Sequence, residues 1–152
     1  MDTSASATGD LRLVVGYDGS PPASRALDTA IRLLQGRTGN IDVVYVGHIP
    51  GVDMLSPGAV AEMDSDFVEI AEDLRKSAGE QLAGKEDRWD FQRREGLIGQ
   101  ELIAAATGIA DVHPGDNVAI VVGSSSHIAH RVVGSVAVAL ARHSPVPLLI
   151  VP

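Results

Sequence analysis

The chain contains no cysteine. Disulfides, thiolate metal sites and thiol catalysis are therefore excluded. Aromatic residues make up only 3%, so the core must be aliphatic, built from Val, Ile, Leu and Ala. Such a core suits a parallel sheet of β-branched strands covered by Ala- and Leu-bearing helices. Positive charge is also short: 12 Lys and Arg stand against 20 Asp and Glu, a formal net charge of −8. Nucleic acid and anionic membranes call for a basic footprint, so neither is expected as a partner. A small anion held by backbone N–H groups remains compatible with this charge. No apolar run approaches the roughly 18 residues that a membrane helix requires. Met1 to Asp10 are small and polar, lack the basic patch and apolar stretch of a signal peptide, and read as a flexible arm. The expectation is a cytoplasmic protein with a single domain over residues 11–152.

What is present is an alternation of short apolar runs and helical periodicities. Leu11 to Tyr17 is an apolar run that ends in Asp18-Gly19-Ser20-Pro21-Pro22. Ser20 as N-cap, with proline in the first turn, signals a helix start. Ala26, Leu27, Ala30, Ile31, Leu33 and Leu34 follow at helical spacing, and Gly36 is placed to end the helix. Ile41 to Val46 reads as a strand buried on both faces. Val60, Met63, Phe67, Ile70, Leu74, Ala78 and Leu82 then mark a long amphipathic helix, whose opposite face carries acidic residues read as solvated. Trp89 to Arg94 alternates polar and apolar residues, as an edge strand does, and Trp89 is read as a packing residue. A helix over Gln100 to Ala110, a strand over Val118 to Val122, a helix from Ser135 to Arg142 and a last strand over Val146 to Val151 complete the chain. Strands alternating with helices predict an α/β fold, a five-stranded parallel doubly wound sheet, Rossmann-like, with helices on both faces; the order expected for it, 3-2-1-4-5, sets strands one and four side by side, which alternation alone does not dictate.

In such a sheet ligands bind beyond the carboxyl ends of the strands, where the strand order reverses. Two loops have suitable chemistry there. The first is Gly16-Tyr17-Asp18-Gly19-Ser20 after strand one. In the second, Val122 leads to Gly123, a small polar loop through Ser126 follows, and Gly134-Ser135-Val136 opens a helix. Glycine lets backbone approach an anion closely, and a helix N-terminus presents unpaired N–H groups to it. Each residue also has a plainer reading. Asp18 can cap the first helix through an Asx-type turn, and Gly134-Ser135 can be a strand-to-helix connection alone. His127 and His130 lie three apart near Arg131, which suits phosphate contact by Arg131 or a histidine; a metal would need a third ligand, and none is expected. His143 reads as a helix C-terminal cation. No Ser/His/Asp set emerges, and His48, His113 and Asp116 read as ordinary loop residues.

Val15-Gly16-Tyr17-Asp18-Gly19-Ser20 resembles the opening of a universal stress protein domain. Gly134-Ser135-Val136, followed by Leu140-Ala141-Arg142-His143-Ser144-Pro145-Val146-Pro147 and an aliphatic strand, resembles its close. The resemblance covers residues 11 to 152 and implies an adenine-nucleotide site. Asp18 matches the position that meets the adenine or ribose side, and Val46 the strand end whose backbone contacts the base. Gly123 and Ser126 match the first two glycines of the family's Gly-x2-Gly-x9-Gly-Ser/Thr loop, and Gly134, Ser135 and Val136 match its end. Here Ser126 replaces the second glycine, and seven residues rather than nine separate it from Gly134. The resemblance implies ATP or another adenine nucleotide, with Mg2+ accompanying it, in a stress-response regulator with at most slow hydrolysis. It also implies a homodimer, which the apolar terminal strand from Pro147 to Pro152 suggests independently, since an exposed apolar edge calls for pairing. The altered loop favours an alternative, a dimeric protein-interaction module of the same fold that binds no nucleotide. An adenylating enzyme of the wider adenine-nucleotide α-hydrolase type is disfavoured, because Asp18-Gly19-Ser20-Pro21 is not a glycine-rich phosphate loop.

Overall fold

The computed structural model describes residues 9–47, 56–124 and 134–152. Five parallel strands, β1 (Leu11–Gly16), β2 (Gly39–Gly47), β3 (Trp89–Glu95), β4 (Asn117–Gly123) and β5 (Leu148–Val151), form one sheet in the order β3-β2-β1-β4-β5. Four helices connect them: α1 (Pro21–Leu34), α2 (Pro57–Gln81), α3 (Ile98–Val112) and α4 (Ser135–His143). The order is the one expected, and the parallel pairing is that implied by the alternation of apolar runs and helical periodicities.

Period-two alternation along the central strands divides the core into two layers. Leu13 and Val15 of β1, Ile41 and Val43 of β2 and Val121 of β4 face α1 and the C-terminal half of α2, meeting Ala26, Leu27, Ala30, Leu34, Ala78 and Leu82. Val14, Val44, Ile120 and Val122 face the other way, onto Leu102, Ala105 and Ala106 of α3 and Leu140 of α4. Trp89 and Phe91 of edge strand β3 pack against the first layer, so Trp89 is a packing residue as read.

Local chemistry sets the ends of α1. Ser20 Oγ accepts from the Ala23 N–H at 3.3 Å, Pro21 and Pro22 occupy the first turn, and Gly36, two residues past the last helical residue, takes a φ of +71°. That left-handed conformation suits glycine at a helix terminus. Helix α2 is amphipathic as expected: Val60, Met63, Phe67 and Leu74 are half-buried, Ala71 and Ala78 buried, and the acidic face is exposed, while Ile70, placed on the apolar face by spacing, is 44% exposed.

At the N-terminal end of the sheet the polar groups satisfy one another. Asp116, read as an ordinary loop residue, accepts from Arg12 Nε at 2.6 Å and from the Asp10 N–H at 3.0 Å. The Arg12 guanidinium holds the Asp116 carboxyl below the usual range. The Gly9 carbonyl accepts from Asn117 Nδ2 at 3.2 Å, so Gly9 and Asp10 are tied to the sheet. No described helix is long and apolar enough to cross a membrane.

Candidate functional site

The strand order reverses between β1 and β4, and a cavity of about 470 Å³ opens there beyond their carboxyl ends. Its floor is the end of the sheet: Gly16 closes β1, Val44, Tyr45 and Val46 come from β2, and Val122 and Gly123 from β4. One wall is the start of α1 with Asp18 and Ser20, another is Ile98 and Leu102 of α3, and a third is the first turn of α4 from Gly134 to Ala137. Of the residues singled out in the sequence, Gly16, Asp18, Val46, Val122, Gly123, Gly134, Ser135 and Val136 all line this one cavity. Ser126 and Arg131, together with His127 and His130, lie outside the described residues.

Asp18 is exposed, and its Oδ1 accepts from the Ser20 N–H at 3.0 Å. The Asx-type turn is therefore formed, and among the described residues no donor reaches Oδ2. Beyond Ser20 the start of α1 is saturated. Pro21 and Pro22 have no N–H, Ala23 donates to Ser20 Oγ, and Ser24 donates to the Ser20 carbonyl at 2.9 Å. Helix α4 begins differently. Its N-cap is Gly134, with no side-chain cap, and the first intrahelical bond runs from the Val138 N–H to the Gly134 carbonyl at 3.0 Å. The N–H groups of Ser135, Val136 and Ala137 precede that bond, and orphan donors of this kind attract an anion. Among the described lining residues Asp18 is the only Asp, Glu, Lys or Arg, so the donors available to an anion there are the α4 backbone N–H groups rather than a basic side chain.

Gly123 has a packing reason for its identity. A Cβ there would lie 2.3 Å from the Pro22 carbonyl oxygen, so the end of β4 rests directly on the α1 backbone.

Sequence reasoning did not find Tyr45, Ile98, Leu102 or the cavity-facing role of Tyr17. Both tyrosines of the chain line this cavity. Tyr17 is buried and donates from its phenol to Ser77 Oγ on α2 at 3.1 Å. Tyr45 is partly exposed; burial and the nearby Asp18 carboxylate push its phenol up, against the pull of Arg93. It stays a neutral O–H donor at pH 7. A tyrosine at each strand end, Tyr17 after β1 and Tyr45 within β2, in a chain so poor in aromatics was the available signal. Leu102 and Ile98 gave none, because tertiary packing alone brings α3 to the cavity. Among the described residues no group of three or more His, Asp and Glu is arranged to hold a metal ion.

The architecture is that of a doubly wound, Rossmann-like parallel α/β protein with its crevice at the reversal of strand order. A model of the universal stress protein family matches residues 11–152, and the chain belongs to that family. Similar solved structures include the universal stress protein UspA from Lactobacillus plantarum, at 20% identity over 95% of this chain and 99% of that one, with a TM-score of 0.70. A universal stress protein family member from Burkholderia pseudomallei aligns at 23% identity over 93% and 95%, with a TM-score of 0.62. A universal stress protein solved in complex with cAMP aligns at 23% identity over 95% and 98%, with a TM-score of 0.59. At these identities the likeness is one of fold. No curated protein sequence matches the chain.

Proposed function

We propose that this chain binds ATP or a related adenine nucleotide in the crevice between β1 and β4 and acts as a stress-response regulator rather than a rapid catalyst. The observation that carries the reading is the convergence of Asp18, Val46, Gly123 and the uncapped start of α4 on one cavity of nucleotide size, about 470 Å³. In this reading Asp18 Oδ2 and the Val46 backbone meet the ribose and base, and Gly16 and Val122 shape the floor. Ser135, Val136 and Ala137 N–H groups hold phosphate, with Ser126 and Arg131 from the adjoining loop beside it. Any Mg2+ is carried on the phosphates. That a relative of the same fold was solved with cAMP supports an adenine ligand. The working unit is one domain over residues 11–152, cytoplasmic, and paired as a homodimer through β5, whose outer edge has no strand partner among the described residues and whose Leu149 is 38% exposed.

The same edge favours a second reading, a dimeric interaction module that binds no nucleotide, to which the Ser126 replacement also points. Calorimetric titration with ATP, ADP and cAMP separates the two. Saturable heat is expected for at least one nucleotide, with affinity falling at least about tenfold, roughly 1.4 kcal/mol, in Asp18→Ala and Gly134→Glu. Absence of heat with all three from folded protein removes the nucleotide reading.

A further inference from the structure

A second cavity, about 520 Å³, continues from the first along the seam between α3 and α4. The two share Ile98, Ser135 and Val136, so they adjoin at the start of α4. Leu97, Ile98 and Ile103 of α3 form one side, Val136 and Ala139 of α4 the other, and His143 lies at the last turn. The start of α3 is unusual in composition. Its N-cap is Leu97, which makes no side-chain cap bond and is 53% exposed, and Ile98 behind it is 38% exposed. Helix starts favour Ser, Thr, Asp or Asn there. A stabilising cap is thus forgone, and apolar surface is presented at the point where the two cavities join.

We propose that this groove takes the apolar tail of an adenine nucleotide whose phosphate carries an alkyl or acyl group; the inference rests on the nucleotide reading of the adjoining crevice. With the base at Asp18 and Val46 and the phosphate on the α4 N–H groups, a substituent on phosphate emerges at Ser135 and Val136, which form the mouth of the groove. The groove is long enough for such a tail: a rise of about 1.5 Å per residue spaces Ser135 and His143 by about 12 Å, enough for an extended chain of six carbons or more. A Cβ placed on Gly99 would lie 3.5 Å from Ala139 Cβ, so the two helices are in near contact at that point.

Calorimetric titration of the full chain with the methyl and hexyl esters of AMP tests this, because the two probes share base, ribose and phosphate charge. The hexyl ester should bind at least about tenfold tighter, a fully buried methylene being worth roughly fourfold. Ala139→Phe fills the groove outside the nucleotide cavity and should abolish that gain while leaving the methyl ester unchanged. Leu97→Asn, at an exposed position, should reduce it without threatening the fold. Equal affinity for the two esters, or a hexyl gain that survives both variants, overturns the tail site while the nucleotide reading stands. Failure of AMP, both esters and ATP to bind overturns both.

Discussion

Helices α1 and α4 both begin at the crevice, yet only one of them has backbone donors to offer. At α1 the first two residues are prolines, and the next two N–H groups are taken by the side chain and carbonyl of Ser20. At α4 a glycine stands where a capping side chain would, and three N–H groups precede the first intrahelical bond. A cap closes a helix start to ligands because it spends the donors that would otherwise meet an anion. The difference assigns the two ends separate work. α1 is a wall whose first donors are spent, and α4 is the element that presents backbone donors to the crevice, as the proposed anion site requires.

The largest effect is expected where the end of β4 meets the start of α1. Gly123→Ala drives a Cβ against the Pro22 carbonyl carbon and oxygen, both backbone atoms, at 2.4 and 2.3 Å. Neither can move without displacing β4 or the start of α1. A loss of about 3 kcal/mol is expected, at the upper end of overpacking costs, read as a lower midpoint in urea. An alanine variant of native stability would mean that β4 and α1 are not in contact there.

Next in size is a paired substitution that exchanges the character of the two starts. Gly134→Asp gives α4 an N-cap carboxylate, which should raise stability by a few tenths of a kcal/mol while weakening nucleotide affinity at least about tenfold. Ser20→Ala removes the α1 cap and should cost about 1 kcal/mol of stability with little change in affinity. Thermal melting and calorimetry on the same samples read both quantities. If Gly134→Asp leaves affinity intact, the α4 N–H groups do not meet phosphate.

These elements also show what was legible beforehand. Ser20-Pro21-Pro22 and Gly36 bound α1 by chemistry that acts within a few residues, so sequence alone locates both ends. The parallel sheet follows from continuous apolar runs alternating with helices, whereas its order and the strand-end positions Val46 and Gly123 come with the resemblance to the family. The remainder depended on distant partners. Asp116 acquires its role from Arg12, 104 residues away in sequence. Leu102 reaches the cavity only because α3 packs across β1 and β4, and Gly123 is set by a contact with Pro22 rather than by any local pattern. Ile70 is exposed although its neighbours Phe67 and Ala71 pack inward, because helical spacing fixes a face without fixing how wide a stripe of it the sheet covers.

The smallest effect lies away from the crevice, at a polar group that no anion serves. Asp42 on β2 stands in register with Val14 of β1 and Asp90 of β3. Burial pushes its carboxyl up and the Asp90 charge adds to this, while the Asn40 amide, Arg12 and His113 pull it down. A carboxyl whose folded value lies above its unfolded one binds its proton more tightly when folded. Ionising it therefore costs stability, a cost absent below the unfolded value near pH 3.8 and complete above the folded one. Asp42→Asn removes that cost. The variant should melt about 1–3 °C higher than the parent at pH 7, and the gap should close as the pH falls through about 4. A variant that melts lower at pH 7 would show the Asp42 carboxylate to be held by its neighbours, Asn40 and Arg12 outweighing the cost of burial.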